Sequence, residues 1–178
     1  TLHSTELTGF SSDTYYANLK HPYEPKQADF EILDEMLLVK GMTRNIFEKM
    51  MPFVTVYGDG LVNINTAPRE VLMALGLEGS LADKVLIVRQ GPDHEELTED
   101  DAIFQKTFDV VSEMKNFVDI QPAEALQIDR LNQQNVFKVS SIFYKIKCRA
   151  FLRRENQDIN VICVYNQADR WIEYWHEK

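Results

Sequence analysis

Residues 144–152 read Tyr-Lys-Ile-Lys-Cys-Arg-Ala-Phe-Leu, and this stretch decides the fold class. Tyr144, Ile146, Cys148, Ala150 and Leu152 alternate with Lys145, Lys147, Arg149 and Arg153, the period of two that gives a strand one apolar and one wet face. Glu155 to Asp158 reads as a polar turn. A return strand carries Ile159, Val161, Cys163 and Tyr165 on one face, and Asn166 to Asp169 turns the chain into a third strand, Arg170 to Trp175. The expectation is a three-stranded antiparallel meander from about Val136 onward. Such a sheet is not stable bare, so its apolar face needs a cover, either the rest of the chain or a long helix encoded before Thr1.

The cysteines, Cys148 and Cys163, both fall on the apolar face. A turn centred between Glu155 and Asn156 sets them opposite each other and makes them a disulfide candidate. A register shift of two moves them to a diagonal on the same face. Free thiols and a bond are both open at this stage.

Upstream the period changes. From Asp13 to about Asn132 the apolar residues form short helical clusters separated by Gly, Pro, Ser and Asp. One helix is expected over Leu33 to Val39, stopped by Gly41. A second starts at Thr43, whose hydroxyl can cap the first turn, with Met42 and Phe47 at staple spacing and Ile46, Phe47 and Met50 on one face. Val54 to Tyr57 reads as extended and Gly58-Asp59-Gly60 as a turn. Thr66 is positioned to cap a helix with Pro68 in its first turn, Val71, Leu72 and Leu75 inward, and Gly76 at its end. In the Asn63-Ile-Asn-Thr-Ala67 segment, Asn63 and Asn65 are expected to tie the turn through their side-chain amides while Ala67 packs. Ser80 with Asp83 suggests a capping pattern for a helix carrying Ala82, Val85, Leu86 and Arg89. Further helices are expected over Thr98 to Gln105, Asp109 to Asn116 and Pro122 to Asn132. A faint echo also repeats Glu35, Leu37, Gly41 and Met42 as Glu70, Leu72, Gly76 and Leu77, 35 residues on.

Composition narrows the function. The 178 residues are 44% hydrophobic, enough for a buried core. A formal charge of −9 argues against nucleic acid, whose phosphates are bound by Lys and Arg. The most acidic run, Asp93 to Asp101, reads as a solvated loop and helix start, with Thr98 and Asp101 in a capping pattern. No run approaches the roughly 18 consecutive apolar residues of a membrane span, and Thr-Leu-His-Ser has no signal-peptide character. The sequence reads as a soluble fragment, and any segment that directs or anchors the protein is expected to precede Thr1. Catalytic signatures are missing: there is no Gly-x-Ser-x-Gly elbow, phosphate loop or paired histidines at metal spacing, and His3, His21, His94 and His176 are scattered.

The order of motifs resembles the K family of minor pseudopilins of type II secretion (general secretion pathway protein K). The resemblance rests on Asp13-Thr-Tyr-Tyr16, His21-Pro-Tyr23, the run from Ile32 through Leu38-Val-Lys-Gly-Met-Thr43, Met51-Pro-Phe-Val-Thr-Val56, and Leu61-Val-Asn-Ile-Asn-Thr-Ala67-Pro-Arg-Glu-Val-Leu72. Ser140-Ser-Ile-Phe-Tyr144 through Trp175-His-Glu177 looks like the family's final strands. The resemblance implies an α+β chain: a mostly helical inserted domain over 1–134, built of helix-hairpin-helix or SAM-like units, then the C-terminal strands of a pilin-like domain over 135–178. The family's N-terminal pilin helix is not visible before Thr1. Also implied is a non-enzymatic subunit on the periplasmic side of the inner membrane, at the tip of the pseudopilus. There it would contact I- and J-type minor pseudopilins, initiate assembly and limit length, anchored by the helix that precedes this chain. Some members bind calcium, for which Asp59, Asp100 and Asp101 are the candidates here.

A rival reading starts from the same Asn63–Ala67 segment. Followed by helix, Gly and helix, it also resembles the helix-hairpin-helix DNA-binding unit of competence proteins, whose hairpin N–H groups meet phosphate. Here the hairpin reads Leu75-Gly-Leu-Glu-Gly79, with a glutamate where phosphate would approach.

Overall fold

The computed structural model describes residues 12–95, 98–152 and 157–177. The chain forms two compact units, Thr1–Phe47 and Glu48–Lys178. It is an α+β protein, and the second unit contains both most of the helices and the sheet.

In the first unit, helix α1 (Ser12–Ala17) is followed by a 3-10 turn, Leu33–Leu38, where an α-helix was expected. No side chain caps it at Ile32, and the Val39 N–H closes back onto Met36 rather than one residue further. Gly41 ends the stretch with φ +87°, a backbone only glycine adopts freely. The Tyr16 hydroxyl accepts the Lys40 N–H at 3.1 Å, and the Tyr23 hydroxyl donates to the Leu38 carbonyl. Helix α2 (Arg44–Met50) is capped as expected, the Ile46 N–H bonding the Thr43 hydroxyl at 3.2 Å. Of its expected apolar face only Phe47 is buried; Ile46 is exposed.

The second unit is built around one hydrophobic core. Helix α4 (Gly79–Gln90) supplies Leu81, Ala82, Val85 and Val88, the spacing of a helix stripe. Leu72 from α3 (Arg69–Ala74), Met114 from α5 (Val110–Met114), and Ile128 with Leu131 from α6 (Pro122–Gln133) complete it with Ile64, Phe104 and Phe137. The expected caps at Thr66 and Ser80 do not form. Pro68 and Glu78 hold the N-cap positions, the Thr66 N–H closes onto the Asn63 carbonyl at 3.1 Å, and Asp83 is engaged by Arg69 instead. Helix α6 does carry a capping box, between Gln121 and Glu124. Lys84 reaches Glu124 at 2.7 Å and holds its carboxyl below the usual range, with the Gln121 N–H adding to the effect.

Strand β1 (Val62–Asn63) pairs in parallel with β2 (Phe137–Lys138), so the start of the period-two region belongs to the helical core rather than to the meander. The meander proper is β3 (Phe143–Leu152), β4 (Gln157–Asn166) and β5 (Trp171–Glu177), antiparallel in the order β3-β4-β5. Residues 153–156 of the expected turn lie outside the described residues. The register pairs Cys148 with Val161 and Ile146 with Cys163, two residues from the register centred at Glu155/Asn156. A bulge at Glu173 lets Ile172 face Tyr165 while Tyr174 faces Val164.

What joins meander to core is the turn at Asn63–Ala67. The Asn65 side chain accepts the Phe104 N–H and donates to the Phe104 and Val139 carbonyls, each at 2.9 Å. Asn63 accepts the Asn65 N–H at 3.0 Å and donates to the Ser141 hydroxyl at 3.0 Å. This explains why the helix expected over Thr98 to Gln105 does not form. With both its backbone groups bonded to one amide, Phe104 is held extended, and 101–106 carry no helical turn.

Two substitutions and a surface control test this arrangement by urea denaturation. Asn65→Ala, which strands the partly buried Phe104 and Val139 groups, is expected to cost about 2–4 kcal/mol, more than a neutral hydrogen bond is worth net. Leu72→Ala should cost about 3 kcal/mol by opening a cavity in the core. Leu126→Ala on the exposed face of α6 should stay within about 0.5 kcal/mol. Equal costs at all three positions would contradict the core and the clasp described here.

Candidate functional site

Among the described residues the main feature is the apolar face of the meander. Tyr144, Ile146, Cys148 and Ala150 from β3 lie beside Ile159, Val161, Cys163 and Tyr165 from β4, with Ile172 and Trp175 from β5 next to them. Only the centre, Cys163, is buried; Tyr144 is 45% exposed, Ile146 42%, Ile159 38%, Ile172 44% and Trp175 54%. The helical core therefore does not cover this face. On the opposite face Val164 and Asn166 are buried, and the Tyr57 ring lies 6.1 Å from Phe143. Burial raises the Tyr57 hydroxyl's pKa, with Tyr174 and Glu173 adding to the shift.

The two-residue register shift decides the cysteines. Cys148 is exposed and Cys163 buried, on one face but diagonal, and both are free thiols. The disulfide weighed from the sequence is not formed, because the partner directly opposite Cys148 is Val161.

The calcium candidates are occupied by protein partners. Asp59 pairs with Lys138 at 2.7 Å and accepts the Leu61 N–H at 3.1 Å, and Lys138 above all holds its carboxyl below the usual range. Asp100 and Asp101 share the Thr98 hydroxyl, at 2.8 and 3.0 Å, and Asp100 also accepts the Asp93 N–H at 3.2 Å. The Asp100 carboxyl is lowered, chiefly by Thr98. The expected Thr98–Asp101 pattern thus exists as a hydrogen bond but caps no helix. A calcium cage needs six or more oxygens converging on one point. Among the described residues no group of three or more His, Cys, Asp or Glu side chains could hold a metal ion.

The helix-hairpin-helix reading also meets its geometry here. Helices α3 and α4 do form a hairpin, and Gly76 takes φ +108°. Three of its backbone donors are engaged: Gly76 N–H with the Met73 carbonyl, Leu77 N–H with the Leu72 carbonyl, and Glu78 N–H with the Gln127 amide oxygen. The Arg69 guanidinium is committed to Asp83 at 2.5 and 3.1 Å and packs where a side chain at Gly79 would stand. The segment is a packing corner, with Ala67 and Leu72 buried beneath it.

Two comparisons bear on identity. Residues 4–59 match the family described as Type II secretion system (T2SS), protein K. The fold matches a chain of the crystal structure of the GspK-GspI-GspJ complex from the enterotoxigenic Escherichia coli Type 2 Secretion System, with TM-score 0.61 and 18% identity over 93% of this chain. The chain spans 54% of that chain's length. No curated protein matches. At this identity the structural likeness speaks to fold, while the family match supplies the sequence link. The family match over residues 4–59 and the shared fold both agree with the resemblance to K-type pseudopilins of the type II secretion system.

Proposed function

We propose that this chain is part of a minor pseudopilin that acts at the tip of the type II secretion pseudopilus, on the periplasmic side of the inner membrane. It works there by protein contact rather than catalysis. The observation that carries this reading is a sheet whose apolar face is bare in this chain. An enzyme has no use for such a face; a filament subunit does. Exposed apolar area of this extent marks a contact surface, and the fold is shared with a chain from a complex of GspK with GspI and GspJ. I- and J-type minor pseudopilins are accordingly the proposed partners.

In this reading the sheet face packs on the long apolar helix expected upstream of Thr1, and that helix carries the subunit into the filament and anchors it. The helical core is the bulk that caps the filament, starts assembly and limits length. Nothing in this role needs nucleic acid or a bound cofactor.

Cys148 lies on the bare face and reports its state. In the chain 1–178 the Cys148 thiol should react quickly with a thiol reagent, with Cys163 slow because it is buried. In the protein extended by its native upstream segment, Cys148 should be protected by at least about tenfold, since a modifying reagent reaches only the thiol that is in contact with solvent. Equal labelling rates in the two proteins would sink the proposed packing.

A further inference from the structure

The meander's second face has a property that the tip reading does not use. Between Lys138 and Arg154 the chain places Lys138, Lys145, Lys147, Arg149, Arg153 and Arg154 without a single carboxylate, in a protein of net charge −9. The structure sets Lys145, Lys147 and Arg149 in a row along the β3 edge, on the face opposite the apolar one. Their cross-strand neighbours, Val164, Ile162 and Asn160, offer no compensating charge, and beyond them β5 presents Tyr174 and His176. Among the described residues, the two carboxylates beside the row are engaged. Asp158 holds Arg149 at 2.8 and 2.5 Å, and Glu173 accepts from the Asn166 amide at 2.9 Å. Lys145 and Lys147 are exposed and have no ion-pair partner among the described residues.

We infer that this basic row is a docking stripe for an acidic protein surface, supplied by the neighbouring subunit at the filament tip; the inference rests on the tip reading above. Charge complementarity selects the occupant. An uncompensated cationic stripe on an anionic protein attracts a negative surface over about a Debye length, roughly 8–10 Å, and orients the acidic remainder of the molecule away from it. A lipid headgroup layer fits less well, because anionic membranes are held by clusters of about 4–8 basic residues and this face offers two unpaired lysines beside one paired arginine. A flat strand edge with lysines two residues apart instead matches carboxylates spaced along a strand or one side of a helix. The bare apolar face on the other side of the sheet is left free for its helix, so the two faces bind different elements.

The test compares affinity for the purified I- and J-type subunits at low and at physiological salt. Four proteins are used: the unaltered chain, K145E/K147E, K145Q/K147Q, and K115E/R130E, which makes the same charge change on the helical core. Binding of the unaltered chain should weaken with salt. Charge reversal on the stripe should lower affinity by about tenfold or more and flatten the salt dependence, with neutralisation intermediate and the helical-core variant unaffected. Absence of binding by the unaltered chain would overturn the tip reading itself. Binding by that chain together with equal binding by K145E/K147E would overturn only the stripe. Equal binding accompanied by new self-association of the variants would identify the lysines as guards of an open strand edge, again against the proposal. Stripe-dependent capture by phosphatidylglycerol vesicles but not by subunits would overturn it as well.

Discussion

The Asn65 side-chain amide holds three distant stretches of chain in one place. Its oxygen takes the Phe104 N–H, and its nitrogen serves the carbonyls of Phe104 and Val139. Only a primary amide has an acceptor and two donors on adjacent atoms, so neither Asp nor Leu at this site could satisfy the same three groups. Ile64, fully buried beside it, sets the turn into the core, and the β1–β2 pairing fixes the strand that leads to the meander. The position of the sheet, and therefore which of its faces meets solvent, follows from this corner.

From that position comes the division of labour between faces. The helical core closes on itself through Leu72, Leu81, Val85, Met114 and Ile128. The meander's other face buries Val164 and Asn166 and carries Phe143 beside the Tyr57 ring, while the face that alternation marks as apolar is exposed. A three-stranded sheet with an unburied hydrophobic side is at the margin of independent stability. That unmet requirement links the fold to assembly more directly than any polar cluster in the molecule.

Much of this was legible in the sequence. The α+β class, the three strands, the facial alternation and the stops at Gly41 and Gly76 all follow from local periodicity and backbone preference, and local rules held where local contacts decide. Long-range satisfaction overrode them elsewhere. Thr98 to Gln105 has helical spacing but runs extended, because Phe104 answers to Asn65, 39 residues away. Ser80 with Asp83 has a capping pattern, but Arg69 takes the carboxylate first. That Asn63 and Asn65 tie the turn could be read from the residue type; that they clasp Ser141, Phe104 and Val139 could not. The Cys148–Cys163 register depended on a turn length that the polar residues 153–158 leave open by two. Among the site residues, Asp59, Asp100 and Asp101 were chosen by charge alone, and charge does not reveal that Lys138 and Thr98 are waiting for them.

We propose that this fold is an assembly module of the secretion filament tip. Its most direct test is light scattering on a size-exclusion run of the chain mixed with soluble I- and J-type pseudopilins from the same genome. The account predicts a stable species containing one copy of each. A chain that elutes alone under these conditions, and in a parallel assay retards duplex DNA at low salt, would contradict it and return the hairpin of α3 and α4 to a nucleic-acid role.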